Sequence, residues 1–447
     1  MAFYERVRKA ACVLAFASAV IGAAALDSFS GTVELATGVT MLEEHKLAPI
    51  LSENFSLVGQ VRIADFAQVR FDVSAYAPNF FPGAFFNAQD SHKQQPSSPA
   101  AFFHANELSF TFQQWLSCYS LFVGVFEPFG TNDFMRAQLG TPSFASLLVQ
   151  KRFGSEGAAL YPSPGFGVSY AQRLDAPLAW AAYAGITERD YDKVYAHGER
   201  DPAYVPDFAG TEKITKLDFD VRAAGAFPLV SFDASFGLGI PKQTLSRKKI
   251  PLPDNSGNQQ RLLLRGWELR GGLSVLAGNS YVQSVLVQAA VPHFWVGKVT
   301  ANTPHPETTV DDIFFLLEPR FALDPLRFVI TTYSAPESVY NGEENDSGLF
   351  YITEPLGMNV AVFAEPYSAA RDVTDRIGVN VTFASKKTLS GRSVAAVGER
   401  GFGIYAAPFC SFAVFGGTLD AAARVDVCGL SVWQDSFEMR LGYRAAF

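Results

Sequence analysis

The chain has 447 residues, 44 of them acidic and 36 basic, for a net charge of −8, which gives a nucleic-acid partner no electrostatic support. Only 18% of residues are charged, against 40 Phe, 16 Tyr and 36 Gly, and mean hydropathy is +0.10. Spread evenly along the chain, this composition favours strands and turns over a row of soluble domains joined by linkers.

The N-terminus reads as an export signal. Arg6, Arg8 and Lys9 precede an uncharged, mostly apolar stretch from Ala10 to Ile21, and Ala23, Ala24 and Ala25 offer small residues for cleavage. About twelve apolar residues fall short of the roughly 20 that a spanning helix needs. Residues 1–25 are therefore assigned to a signal peptide and 26–447 to a single exported unit. Cys118, Cys410 and Cys428 remain after cleavage, at spacings that match no zinc pattern, and are assigned to packing, although Cys410 and Cys428 lie on segments able to pair.

From Gly31 onward the chain alternates with a period of two, the signature of a strand with one apolar and one polar face. Leu57, Val61 and Ile63 alternate with Ser56, Gln60 and Arg62, and Val69, Phe71 and Val73 with Arg70, Asp72 and Ser74. Leu108, Phe110 and Phe112 continue the pattern. So do Leu217, Phe219 and Val221 against Asp218, Asp220 and Arg222, then Val230 to Ile240 and Ile377 to Phe383. The apolar run Gly271–Gly297 is broken by Gly278, Asn279 and Ser280, and reads as two strands and a turn.

Connections alternate between short and long. Short ones are expected at 64–66, 114–117, 174–177, 227–228, 277–280, 324–325, 366–372 and 416–420. Long polar ones are expected at 43–54, 78–104, 128–164, 188–212, 241–260, 293–311, 336–346 and 385–400. This cadence gives about 18 strands, with 16 close behind, and places both termini at the short-turn end. The expected fold is all-β: a single transmembrane antiparallel up-and-down β-barrel of about 16–18 strands.

The final twelve residues, Ser436–Phe447, carry the sharpest signal. Phe437, Met439, Leu441, Tyr443, Ala445 and Phe447 alternate with Glu438, Arg440, Gly442, Arg444 and Ala446. A strand of this kind ending on an aromatic resembles the last strand of bacterial outer-membrane β-barrel proteins, and the whole architecture resembles porins. That resemblance implies passive diffusion of small hydrophilic solutes through the outer membrane of a diderm bacterium, no cofactor and periplasmic termini. It implies outer-membrane lipid, the barrel-assembly machinery and small solutes as partners, and a homotrimer in many members. Tyr443 and Phe447 are then the assembly signal. The third long connection, 128–164, holds the place of the porin constriction loop, with Asp133 and Arg136 as its candidate charges, while the acidic constriction motif of general porins is not reproduced.

Sixteen to 18 strands leave room for an aqueous lumen. The polar parity then names candidate pore-lining residues: Arg62, Arg70, Asp72, Asp218, Asp220, Arg222, Glu268, Arg270, Arg440 and Arg444. Both signs occur without a single-sign ring, and each is expected as a solvated wall residue. Two rival classes remain. One is a fatty-acid-transporter type of barrel, favoured by the Phe content. The other is an adhesin presenting the aromatic loop with Phe80, Phe81, Phe85 and Phe86. An enzyme is not expected: of His45, His92, His104, His197, His293 and His305, none sits in a G-x-S-x-G or H-E-x-x-H context, and no metal-ligand spacing occurs.

Overall fold

The structure is a computed structural model. It describes residues 26–42, 46–64, 66–77, 102–124, 144, 146, 165–174, 177–190, 213–242, 250–252, 260–262, 267–278, 283–296, 310–336, 354–368, 373–394, 400–430 and 437–446. Among these, no helix is long and apolar enough to cross a membrane.

Among the described residues, twenty-two strands follow one another. The first nine are β1 (Leu26–Leu42), β2 (Lys46–Ala64), β3 (Ala67–Ala77), β4 (Phe102–Gln114), β5 (Ser117–Gly124), β6 (Gly165–Arg173), β7 (Leu178–Asp190), β8 (Lys213–Ala226) and β9 (Val230–Pro241). A short ribbon, β10 (Ile250–Leu252) with β11 (Gln260–Leu262), sits in the next long connection. Then come β12 (Trp267–Gly278), β13 (Gln283–Val296), β14 (Phe314–Leu323), β15 (Leu326–Ser334) and β16 (Leu356–Ala364). A second ribbon, β17 (Tyr367–Ser368) with β18 (Val373–Thr374), precedes β19 (Arg376–Ser385), β20 (Phe402–Val414), β21 (Gly417–Asp426) and β22 (Phe437–Ala446).

Apart from the two ribbons, these strands form one 18-stranded sheet in which each strand pairs antiparallel with the next. The sheet closes on itself, because β22 pairs with β1 from Thr32 opposite Ala446 to Val39 opposite Met439. Closure satisfies every edge, which is the condition for a sheet to sit in lipid. Apart from the short connection after β1, the short turns, the start of β1 and the end of β22 all lie at one end of the barrel. At the turn between β20 and β21, Phe415 and Gly416 both have positive φ (52° and 77°), the twist a two-residue hairpin demands.

The two faces of the sheet separate as the alternation requires. On β5, Leu121 and Val123 are exposed while Ser120 and Phe122 are buried. On β8, Phe219 and Val221 are exposed while Asp218, Asp220 and Arg222 are buried. An outward face of exposed large apolar side chains on strand after strand (Phe166, Phe236, Phe315, Leu317, Ile377, Leu441) fits lipid and not water. Aromatic side chains gather on this face toward the short-turn end: Tyr170 packs between Tyr119 and Trp180 at centroid separations of 5.0 and 5.2 Å, and Phe321 stacks on Phe328 at 5.6 Å. Such a belt suits the bilayer interface.

The long connection expected at 43–54 is absent: β2 begins at Lys46, leaving only 43–45 between β1 and β2. Pro49 and Glu53 give that stretch a loop-like composition. Pro49 nevertheless pairs with Val39 of β1 in a part of β2 that β3 does not reach, so the missing N–H deprives no second neighbour of a bond. The turn expected at 416–420 starts one residue earlier and is shorter, at Phe415–Gly416, and 417–420 belong to β21. Other boundaries shift by a few residues, since β7, β13 and the connection after β15 run beyond the polar segments that mark them. Cys118, Cys410 and Cys428 are free, so Cys410 and Cys428 do not pair.

Candidate pore and its charged inner wall

Period-two alternation on β8 aims Lys216, Asp218, Asp220, Arg222 and Ala224 at the inside of the barrel. Next to it β9 contributes Asp233, Ser235, Gly237 and Gly239, and β12 contributes Glu268, Arg270, Gly272 and Ser274. In register, Asp220, Gly237 and Arg270 form one row across the three strands, and Asp218, Gly239 and Glu268 the row beside it.

The two glycines on the middle strand decide what this wall does. With no side chain on β9, Arg270 reaches over it to β8. Its Nε and Nη2 bond Asp220 at 2.8 and 2.7 Å, and its Nη1 bonds Asp218 at 2.7 Å. A Cβ on Gly237 would overlap the Asp220 carboxylate and lie 2.7 Å from Arg270 Nε. Around this fork, Lys216 pairs with Glu268, Thr187 on β7 donates to Asp218, and Arg222 clasps Asp233 through two N–H groups. Three cations thus meet four carboxylates on one patch of wall, and all but Arg270 are at most 2% exposed. Burying so many charges is tolerable only because they are mutually paired.

A second polar group lies on β13 and β14. Glu318, fully buried, accepts from Thr331 of β15 at 2.7 Å and from Arg320 Nε at 2.8 Å. It also accepts from Ser146 at 2.5 Å. Ser146 belongs to the third long connection, as does Phe144, whose carbonyl oxygen accepts from Gln288 of β13 at 3.2 Å. Phe144 is 2% exposed and packs among inward-facing Leu286, Leu316 and Phe314. Part of the third long connection therefore docks on the inner wall.

Toward the long-loop end, Tyr405 donates to Glu354 at 3.2 Å, and the Arg424 guanidinium lies 4.1 Å from the Tyr405 ring centroid. At the short-turn end, Glu365 sits between Arg376, at 2.8 Å, and Arg327, at 3.4 Å.

Of the candidate wall residues, the structure gathers Asp218, Asp220, Glu268 and Arg270 into one network, with Arg222 on the adjoining Asp233. These five were expected as solvated wall residues and are instead sequestered in ion pairs, because the bare Gly237 and Gly239 let β12 reach β8 and Asp233 stands diagonally across from Arg222. Arg62, Arg70 and Arg444 face inward on other strands; Arg444 is 55% exposed and 3.8 Å from Asp420. Asp72 and Arg440 fall on β3 and β22 at inward register positions, their side chains lying outside the described residues. Asp133, Arg136, Phe447 and the aromatic loop with Phe80 also lie outside them. Tyr443 faces outward and donates to the Phe415 carbonyl oxygen at 3.1 Å.

Sequence reasoning missed Lys216, Asp233 and Glu318. Lys216 was visible as the next member of the 218–220–222 series, and Asp233 as an inward position of the 230–240 strand. Nothing local marked Glu318, since Pro319 interrupts the alternation there. Among the described residues, no cluster of His, Cys, Asp and Glu has metal-binding geometry.

A closed sheet of 18 strands, apolar outside and charged inside, defines a transmembrane β-barrel. No protein-family model and no curated protein matches the chain. Among solved structures, it is similar to the outer-membrane protein OpdK of Pseudomonas aeruginosa, at 8% identity over 95% of this chain and 100% of that one, with a TM-score of 0.48. OccAB4 of Acinetobacter baumannii gives 11% identity over 95% and 98%, with a TM-score of 0.48. OmpF of Salmonella typhi, solved in complex with daunomycin, gives 7% over 94% and 97%, with a TM-score of 0.39.

Proposed function

We propose that the chain is an outer-membrane, porin-like channel for passive diffusion of small hydrophilic solutes or ions. In this reading residues 1–25 direct export, 26–447 form the barrel, and the last strand is offered to the barrel-assembly machinery. The short-turn end and both termini face the periplasm. The observation that carries the proposal is the contrast between the two faces of one closed sheet: apolar and exposed outside, charged inside, with Arg62 and Arg444 exposed on the inner face. Eighteen strands enclose more than their own side chains can fill. The third long connection, anchored on Glu318 and Gln288, narrows that space from one side without needing any cofactor.

A second reading has one observation in its favour. Phe122, Phe144, Leu286, Leu316, Phe363 and Phe409 are inward-facing or docked inside, which suits a barrel that passes an apolar substrate. Single-channel recording in a planar bilayer separates the two. A porin gives discrete conductance steps in simple salt. A well-folded barrel that stays electrically silent and binds a long-chain fatty acid supports the second reading and removes the first.

A further inference from the structure

The inner faces of β16, β19 and β20 build a trough of small side chains between two aromatic ends. Met358, Ile377 and Val379 are exposed on the outer face, so the alternate residues Asn359, Asn380 and Thr382 point inward. In register, Ala361, Asn380 and Ala407 form one row across the three strands, and Asn359, Thr382 and Tyr405 the row on its long-loop side. On the other side of the alanines, Phe363 and Phe409 bracket Gly378, with ring centroids 6.1 Å apart. Tyr405 and Phe409 are four residues apart on one strand, about 13 Å at the usual rise, with Ala407 between them on that face. The floor between the aromatic ends is therefore two methyl groups and one amide.

That amide is only half satisfied. Asn380 is 1% exposed, and its Oδ1 accepts from Asn359 Nδ2 at 3.1 Å, while Asn359 Oδ1 accepts from Thr382 at 2.8 Å. With Oδ1 turned toward β16, Asn380 Nδ2 is turned to the β20 side, over Ala407, where it has no hydrogen-bond partner among the described residues. A buried donor in this state is costly until something arrives to accept from it. At the long-loop side, Tyr405 leans along bare backbone: a Cβ on Gly403 would lie 2.7 Å from its hydroxyl oxygen. That hydroxyl donates to Glu354 at 3.2 Å, and the Arg424 guanidinium lies over the ring at 4.1 Å. Thr382, Tyr405 and Arg424 are half-buried, so they are what a passing solute meets first.

From this arrangement we infer that the trough holds a neutral polyhydroxylated solute, a short oligosaccharide, on its way through the barrel. The inference rests on the channel reading above and gives it a solute class. A sugar ring has apolar C–H faces that pack on aromatic rings such as Tyr405 and Phe409, and hydroxyls at its edge that both donate and accept. One such hydroxyl accepts from Asn380 Nδ2, and others meet Thr382 and Arg424. A mostly apolar surface with a few placed polar groups is the usual make-up of a small-molecule site. An alkyl chain would fill the same length and leave Asn380 unsatisfied, so the amide discriminates against it. A simple ion of either sign meets its like as well as its opposite, since Glu354 and Arg424 both attend the Tyr405 ring.

Single-channel current in potassium chloride, with maltotriose added to each side in turn, tests this directly. The native channel is expected to show brief interruptions whose frequency rises with maltotriose concentration, whereas polyethylene glycol of similar mass lowers conductance without discrete interruptions. Asn380→Leu and Tyr405→Leu should each raise the apparent Kd for maltotriose by about threefold or more while the open-channel conductance persists. Ser411→Ala, at an inward position of β20 outside the trough, should leave it unchanged. Should Asn380→Leu not refold, Tyr405→Leu carries the test alone. A conducting channel that maltotriose does not interrupt, or whose interruptions survive the trough variants unchanged, overturns the oligosaccharide inference and leaves the channel reading standing. So does one that sodium decanoate interrupts more strongly than maltotriose. A folded but silent barrel overturns the channel reading itself, and the inference with it.

Discussion

The wall built by β8, β9 and β12 and the inner faces of β2 and β22, on either side of β1, obey the same alternation and both carry arginines, yet they are physically different objects. On the first, Arg270 and Arg222 are locked onto carboxylates and shut away from water. On the second, Arg62 and Arg444 are exposed, and Arg444 lies 3.8 Å from Asp420. The difference comes from what faces each charge across the strands. Gly237 and Gly239 clear a path between β12 and β8, whereas Arg62 is registered against Gln68, and Arg444 against Thr418 of β21 and Glu34 of β1, both arginines lying near the ends of their strands. Inward charge is thus of two kinds, one buried within the wall and one exposed at its surface.

The largest effect that breaks or sharpens this contrast is on stability. Arg270→Ala strands Asp218 and Asp220 side by side in a buried site, and should destabilise the refolded barrel by roughly 3–5 kcal/mol in urea unfolding. Arg62→Ala, at an exposed position, should stay within about 0.5 kcal/mol. Replacing the fork as a unit, with Arg270→Met, Asp218→Asn and Asp220→Asn, should recover much of the loss, since an apolar or neutral substitute for a buried ion group is often tolerated. Equal costs for the two single variants would dissolve the distinction between the walls.

How much of this was legible beforehand follows the same line. Alternation is a property of each strand alone, so the outward faces, the strand number and most of the short turns could be read from residues such as Leu217, Phe219 and Val221, or Gly278 to Ser280. Pairing between strands is not local. That Arg270 meets Asp220 depends on the register of three strands and on Gly237 being bare, and no pattern within β12 reports it. For the same reason Asp218 and Arg62 look alike in sequence and end up in opposite surroundings. Pro49 misled because composition marks it as loop, while its tolerance depends on how far β3 extends alongside.

A middle-sized effect concerns the part of the third long connection that docks on the paired side of the barrel. Glu318→Gln leaves one oxygen to serve Ser146, Thr331 and Arg320, and removes the charge that Arg320 faces. The expected cost is about 1–3 kcal/mol, the usual penalty for leaving buried partners unsatisfied. If Ser146 tethers the connection, the variant should also be cut faster by trypsin at Lys151 or Arg152 than the native barrel is. Unchanged cleavage with reduced stability would confine Glu318 to a role within the wall.

The smallest effect lies outside the membrane-spanning strands and is set by pH. Asp311, just before β14, accepts from the Ser390 amide at 2.8 Å and the Ser390 hydroxyl at 2.5 Å, which ties the connection before β14 to the one between β19 and β20. Burial raises the affinity of this carboxyl for its proton. The bonds from Ser390 and Thr388 together with the nearby Arg392 outweigh that, and hold it below the ordinary value of 3.8. A carboxyl depressed in the folded state contributes stability that is fully present above its unfolded value and is lost as pH falls through the folded one. Hydrogen exchange at the Ser390 amide should therefore show constant protection above about pH 5 and lose it only on acidification below 3.8, after correction for the intrinsic exchange rate. Asp311→Ala should abolish that protection at every pH and leave the strand amides of β8 and β12 unaffected. Protection that survives Asp311→Ala would mean that the two connections are held together without this carboxylate.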